Sequence, residues 1–308
     1  MRLIKKVAAL KSLKCYSMKK LEISASAKIN MGLSVLDKRV DGYHYIKTYM
    51  HAISLHDKLT FEKSDATVLF CEDKNIPCNE QNIVVKCIRA MEDLLERSLN
   101  MRVYIEKNIP SSAGLGGGSA DGAATMTAAN ILYNLNLDRE TLCALAKSVG
   151  ADIPFFFYNN CCFCEGIGEI ITPKDYACHD YIVVLKPAFG ISTRDAYEMI
   201  DCSVGKSAAA DYSVMEETLR NKSVQLSKKC FINDFERYAF QTYKELLAIK
   251  RDFITFGAYA AQMSGSGPAM YGLFEHRQDA LQSFEYFKKY YKNVYLTNLI
   301  SKPLEIIC

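Results

Sequence analysis

A chain of 308 residues, 49% of them hydrophobic, has length for about two domains and enough apolar content to fill their cores without disulfide or metal staples. Its 38 basic and 35 acidic residues leave a net charge of only +3, which excludes the broad basic face of a dedicated nucleic-acid binder and still admits a compact anionic ligand. Twelve cysteines scattered through apolar stretches such as Thr141-Leu142-Cys143-Ala144 read as small buried hydrophobes of a reducing compartment, not as a disulfide framework.

Residues 1–17 set Arg2, Lys5, Lys6, Lys11 and Lys14 among Leu3, Ile4, Val7, Leu10 and Leu13. The pattern suggests a targeting sequence or a surface helix, but its longest apolar run, Val7 to Leu10, is too short for a signal-peptide core or a membrane span. Met18, before Lys19 and Lys20, is an equally good start. No later stretch reads as transmembrane, so the expected location is cytoplasmic.

From Leu21 the chain alternates, with Ala25, Ala27, Ile29, Met31, Leu33 and Val35 on one face and Ser24, Ser26, Lys28, Asn30, Gly32 and Ser34 on the other. That is a half-buried strand or strand pair, and the period of two points Lys28 and Asn30 the same way. Alone, Lys28 reads equally as a lysine facing solvent. Asp41-Gly42 marks a turn, after which Tyr43 and His44 either cap a core or stack on a planar ligand. Strands are expected at 57–62 and 67–71, and a helix at 82–97 capped by Asn82, with Ile83, Val84, Cys87, Ile88, Met91, Leu94 and Leu95 buried.

Met101 to Glu106 alternates as a strand, and Ala120 to Leu135 has helical spacing. Between them four of the sixteen glycines, Gly114, Gly116, Gly117 and Gly118, fall within five positions. A glycine loop running into a helix exposes backbone N–H groups at the positive end of the helix dipole, the chemistry of an anion cradle. No lysine follows these glycines as a P-loop demands, and neither register completes the dinucleotide fingerprint, since Ser119 or Asp121 stands where its last glycine belongs.

Asp138 then caps a helix over 139–149, which Gly150 ends in the manner of a C′ glycine. Asp152, the only acid between Lys147 and Tyr158, fits either a cap for a short turn near Pro154 or a functional acid. Cys161, Cys162 and Cys164 lack the paired spacing of a metal site and read as strand residues. Further strands are expected at 161–165, 169–172 and 181–186, then a helix containing Tyr197 capped by Ser192 or Thr193, and helices at 211–220 and 234–247. A second Gly/Ser loop, Ser264 to Pro268, lies between two strand-like pieces, followed by a helix over 278–290 and a strand near 294–297.

Ala27-Lys28-Ile29-Asn30, Asp41-Gly42-Tyr43-His44, Ala113 to Asp121, Gly150 to Phe155 and Ser264 to Pro268 together resemble the GHMP kinases. The resemblance runs from about Met18 to near the C-terminus. It implies an α+β fold of two lobes, residues 18–172 like the second domain of ribosomal protein S5 and 173–308 ferredoxin-like, with 1–17 as an extension. It also implies ATP and Mg²⁺, and transfer of the γ-phosphoryl group to an alcohol. In that reading Asp152 accepts the alcohol proton and Lys28 stabilises negative charge at the reacting centre. Pro110, Ser111, Ser112, Ala113, Gly114, Leu115, Gly116, Gly117, Gly118, Ser119 and Ala120 hold the nucleotide, with Ser119 the nearest protein ligand for the metal.

The Asp-Gly-Tyr-His and Gly-Ala-Asp-Ile-Pro motifs select, by resemblance, a member acting on a small molecule that carries a cytidine diphosphate group. Tyr43 and Tyr197 would sandwich the cytosine, His44 would read its edge, Asn30 would bind acceptor hydroxyls, and Thr193, Gly265 and Ser266 would complete the acceptor site. No nucleic acid or membrane partner is implied, and the expected state is a monomer or weak homodimer. The alternatives are a family member acting on mevalonate, homoserine or a sugar, and a non-catalytic nucleotide- or RNA-binding protein of the S5-like fold.

Overall fold

The alternating segment after Lys19 and the apolar segment after His44 pair as one long antiparallel hairpin, β1 (Lys20–Lys38) and β2 (His44–Lys63). Its turn depends on Gly42, whose φ of 88° disfavours a side chain. The computed structural model describes residues 19–174, 180–202 and 210–307, so the basic segment at 1–17 lies outside the described residues. β1 is longer than a half-buried strand requires and buries both faces. Lys28, Asn30 and Ser34 are as covered as their apolar neighbours, because the polar face meets the rest of the protein and not water. Register shifts after Ser26, Met31 and Val35 kink the hairpin and re-aim the side chains between them.

β2 is the hub of the sheet. It pairs with β1, with β4 (Met101–Glu106), with β5 (Cys161–Glu165), and through Ile53 and Ala52 with the end of β10 (Asn293–Ile300). β3 (Val68–Cys71) runs parallel to β4, and β6 (Ile170–Lys174) pairs with β5. The main path is β11 (Leu304–Ile306), β1, β2, β10, then β7 (Tyr181–Lys186), β9 (Met270–Phe274) and β8 (Ala260–Met263). A division at residue 172 would cut inside β6, and β11 returns to the edge of β1, so the last strands belong with the first.

Three helices back the first half of the sheet. In α1 (Ile83–Leu95) the Asn82 side chain accepts the Val84 N–H at 2.9 Å, as its cap position requires. The buried stripe includes Val85 and leaves Leu94 49% exposed, a rotation from the expected face. In α2 (Gly117–Leu132) small residues are buried on nearly all sides, which lets the helix lie close against α1 and β1. α3 (Arg139–Val149) is capped by Asp138 as expected, but Gly150 is extended (φ −169°) and not left-handed. A side chain there would crowd Ile153 at 3.3 Å. The 3₁₀ turn Ile153–Phe157 follows.

The second half carries α4 (Thr193–Asp201), capped by Ser192, then a 3₁₀ turn at Tyr212–Val214 leading into α5 (Met215–Asn221). The single helix expected at 234–247 is two, α7 (Glu236–Thr242) and α8 (Lys244–Thr255), broken at Tyr243, whose ψ of 78° leaves the helical range, and α6 (Val224–Cys230) precedes them. α9 (Arg277–Lys288) packs on β7, β9 and β10. One apolar cluster lies beneath α1 and α2, another beneath α8 and α9, and a third between them joins Ile29, Met31, Tyr49 and Ile53 to Ile182, Val184 and Tyr271. Cys162 and Cys164 belong to the first cluster and Cys161 to the third; burial pushes the Cys162 thiol up to about 12. No helix of the described residues is long and apolar enough to cross a membrane.

Candidate active site

The site forms where four segments distant in sequence meet around one buried ammonium. Lys28 Nζ donates to Asn30 Oδ1 at 2.6 Å and to the Gly114 carbonyl at 3.1 Å, and lies 3.4 Å from Asp152 Oδ2. An ammonium has three hydrogens, so these three acceptors satisfy a charge that burial would otherwise make very costly. Asn30 is fixed in turn. Its Nδ2 donates to Thr48 Oγ1 at 3.1 Å, and that hydroxyl donates to the Gly32 carbonyl at 2.6 Å. The Asn30 amide thus braces Lys28 with one of its two N–H groups and one lone pair of its oxygen.

Asp152 precedes the 3₁₀ turn without capping it: its side chain makes no cap hydrogen bond. The carboxylate, a third exposed, faces Lys28 and the cavity. The turn's own N–H groups are therefore not what holds Asp152, which removes the cap reading that its sequence position allowed.

The glycine loop passes directly over Lys28. Gly116 (φ 68°) is the N-cap of α2 and offers no capping side chain, so the first N–H groups of the helix have no side-chain acceptor. A Cβ at Gly116 would stand 2.9 Å from Lys28 Cγ, and one at Gly114 (φ 77°) would stand 2.0 Å from the Ser264 carbonyl oxygen. The second Gly/Ser loop clamps the first. Ser264 Oγ donates to the Gly114 carbonyl at 2.8 Å, and the Ala269 N–H donates to the Ala113 carbonyl at 3.1 Å.

Two cavities flank the glycine loop. One, of about 390 Å³, is lined by Pro110 to Ser119 together with Ile76, Pro77 and the start of α1. Ala120 lies outside that lining: it is buried in the core and spends its N–H on the Gly116 carbonyl, which corrects its expected nucleotide contact. The other cavity, of about 570 Å³, is lined by Lys28, Asn30, Tyr43, His44, Asp152, Thr193, Tyr197, Gly265 and Ser266, so the sequence-derived acceptor residues do converge. Gly114 and Gly116 line both.

Within the larger cavity the rings are arranged differently from the expected sandwich. Tyr197 lies face to face with His44, centroids 4.9 Å apart at 14°, while Tyr43 is 61% exposed. Phe235 packs nearly perpendicular to the Tyr197 ring, centroids 5.0 Å apart. His44 Nε2 is 2.7 Å from Asp201 Oδ1, and Lys38 Nζ donates to Asp201 Oδ2 at 2.5 Å. At the other end of α4, the Thr193 and Ser266 hydroxyls are hydrogen-bonded at 3.0 Å.

Several residues of the site had no signal of their own in the sequence. Thr48, Lys38 and Asp201 are ordinary polar residues until the fold brings them together. A buried ion network beneath the glycine loop had one: Asp121 is the only charged residue in the small-residue helix α2. Lys107 bridges Asp121 Oδ2, at 2.8 Å, and Asp57, whose Oδ1 also accepts the N–H groups of Asn108 and Ile109. Burial pushes the Asp121 carboxyl up to about 7, against the pull of Lys107.

Comparison with known proteins agrees with this geometry. Residues 82–160 match the family model of the GHMP kinases N terminal domain, and residues 214–293 match GHMP kinases C terminal. The 4-diphosphocytidyl-2-C-methyl-D-erythritol kinase of Thermoanaerobacter pseudethanolicus is 37% identical over 289 residues, covering 94% of this chain and 99% of that protein. The kinase of the same name from Thermodesulfovibrio yellowstonii is 37% identical over 294 residues, covering 92% and 100%. A crystal structure of 4-(cytidine 5'-diphospho)-2C-methyl-D-erythritol kinase superposes with a TM-score of 0.77 at 29% identity, covering 91% of this chain and 99% of that one. Homoserine kinase from Cytophaga hutchinsonii, at 16% identity and a TM-score of 0.76, shares the fold.

Proposed function

This chain belongs to the GHMP kinases, and from that premise we propose that it transfers the γ-phosphoryl group of ATP to the 2-hydroxyl of 4-diphosphocytidyl-2-C-methyl-D-erythritol, a step of non-mevalonate isoprenoid biosynthesis. The observation that carries the reading is the Lys28–Asp152 pair, set beside the loop residues Gly114 and Gly116 that line both cavities. A reaction that joins two substrates needs its reacting atoms where their sites meet.

The smaller cavity fits a nucleotide's phosphates. Uncapped N–H groups at the start of α2 and a loop in which Gly114 and Gly116 leave no room for a Cβ form an anion cradle, and Lys107 lines the same cavity. Ser119 offers the protein oxygen for Mg²⁺; among the described residues no group of three His, Cys, Asp or Glu side chains is placed to hold a metal, which suits an ion bound through phosphates and water. When bound, Mg²⁺ neutralises charge on the phosphates. On the acceptor side Asp152 orients the hydroxyl and takes its proton as the oxygen bonds to phosphorus, and Lys28 offsets the negative charge gathering there. Asn30 and Thr48 keep Lys28 aimed at that point. Tyr43 and Tyr197 supply aromatic surface for the base, and Thr193, Gly265 and Ser266 close the far wall.

A coupled assay of ADP release, run with and without 4-diphosphocytidyl-2-C-methyl-D-erythritol, tests the reading. ADP should appear only with that acceptor present; equal or greater release with homoserine, mevalonate or a hexose would move the protein to another branch of the family. The reading carries with it a cytoplasmic enzyme that acts as a monomer or weak homodimer.

A further inference from the structure

The contacts at the C-terminal end of α4 have no part in the chemistry described above. Asp201 is the last residue of that helix, where the backbone dipole is negative and the last turn holds no basic residue. A carboxylate is disfavoured there on helix grounds alone, so its position calls for another cause. Both of its oxygens are used: Oδ1 meets His44 Nε2 at 2.7 Å and Oδ2 accepts from Lys38 Nζ at 2.5 Å. These contacts draw the carboxyl's pKa down, Lys38 contributing most. Lys38 and His44 are cross-strand partners at the turn end of the β1–β2 hairpin, so Asp201 ties α4 to both strands at once.

The tie has a geometric effect. The imidazole that Asp201 fixes is the ring on which Tyr197 lies flat, and Phe235 packs nearly perpendicular to Tyr197. With Thr193 bonded to Ser266 at its other end, α4 is pinned at both termini across the acceptor cavity, and Tyr197 is its midpoint. Without the C-terminal pin the ring would keep its backbone anchor and lose the surface that sets its plane.

We propose that Lys38 and Asp201 are positioning residues for acceptor recognition, holding His44 and through it Tyr197 as a preset aromatic wall for the base. This rests on the acceptor reading given above. His44 then serves first as the floor beneath Tyr197, which explains why its ring is both covered and hydrogen-bonded.

The test is calorimetric binding of cytidine diphosphate and, separately, steady-state kinetics, on the full chain carrying Asp201→Ala, Asp201→Asn or Lys38→Met. Asp201→Ala should weaken cytidine diphosphate binding and raise the acceptor KM by about tenfold, within the range one base-stacking ring contributes. ADP affinity and kcat at saturating acceptor should change less than about twofold, as expected for lost ground-state binding. Asp201→Asn, which keeps an acceptor for His44, should recover most of the affinity, and Lys38→Met should fall between. An unchanged dissociation constant in Asp201→Ala, or an equal loss for ADP and cytidine diphosphate, overturns the proposal; if Asp201→Ala does not fold, an unchanged constant in both Asp201→Asn and Lys38→Met does so. Tight cytidine diphosphate binding by the parent without turnover of the cytidyl acceptor would defeat the kinase assignment and leave the positioning role standing. Failure of the parent to bind it at all defeats both.

Discussion

At the scale of single residues, Lys28 decides how the centre is read. Its position in the sequence fitted a solvent-facing lysine as well as a catalytic one, because alternation reports which face a side chain takes and not what lies across from it. The missing information was the second face of β1: Lys28 is covered by the glycine loop and by Asp152, which are 86 residues and more away in the chain. Asp152 is the sharper test of the mechanism. In Asp152→Ala the ammonium keeps Asn30 and Gly114 as acceptors, so the loop should hold its place, while the proton acceptor is gone. We expect kcat to drop by roughly 10² to 10⁴, the scale of a lost general base, with ATP binding little changed. Single-turnover kinetics with a nucleotide titration would separate the two, and near-normal kcat would remove Asp152 from the chemistry. Asn30 shows the opposite lesson. Its residue type suggested a ligand for the substrate, but its bracing of Lys28, with Thr48 behind it, could only be known from the fold.

At the scale of elements, the strand, glycine loop and helix of residues 101–132 were readable in order and type, the strand to the residue. The helix begins and ends three residues earlier than its apolar spacing suggested, because its first turn is built from the loop's own glycines. What the spacing left open was why each glycine is there. Gly114 and Gly116 have positive φ and no room for a Cβ, whereas at Gly118 the nearest atom would be Ile83 Cγ2 at an ordinary 3.6 Å. Gly118→Ala should therefore fold at least as well as the parent, gaining up to about 1 kcal/mol of helix propensity. Gly114→Ala must displace the Ser264 carbonyl and should cost stability by about 1 to 3 kcal/mol, the scale of backbone strain at a functional turn. Urea midpoints of the two variants measure this; the reverse order would mean that Ser264 does not press on the loop. The breaks that went unread, at Tyr243 and at the 3₁₀ entry to α5, lie in polar stretches where local propensity is nearly neutral and packing chooses the boundary.

At the scale of the molecule, β2 links everything, and a linear reading of the chain could not show it. Only the segment 57–62 carried a clear strand pattern, since the rest of β2 is buried by partners from both halves. His51 lies within that shared stretch, 1% exposed, with Nδ1 bonded to the Ala52 carbonyl and Nε2 without a hydrogen-bond partner among the described residues. Burial lowers its pKa from 6.5 to about 4. The folded state thus binds fewer protons than the unfolded state between these values, so its contribution is complete above pH 6.5 and is lost as pH falls toward 4. The loss should amount to about 3 kcal/mol at 1.36 kcal/mol per pKa unit. Asp121, raised from 3.8 to about 7, acts with the opposite sign throughout this range. The informative quantity is therefore the difference in urea stability between the parent and His51→Gln, followed from pH 7 to pH 4. A difference that stays level with pH would show that His51 does not titrate in the fold.

The loop that divides the two cavities also bears on ligands of a kind the enzyme never meets. Because the residues lining both chambers are the glycines Gly114 and Gly116, the wall the chambers share there is bare backbone. Two fragments, one seated on each side, could be joined across that point by a short tether without displacing any side chain of those two residues. Joining them makes the second binding event intramolecular, with an effective concentration in about the millimolar range for a short flexible linker. Affinity would then grow by connection alone, with the glycine wall setting the length of the bridge.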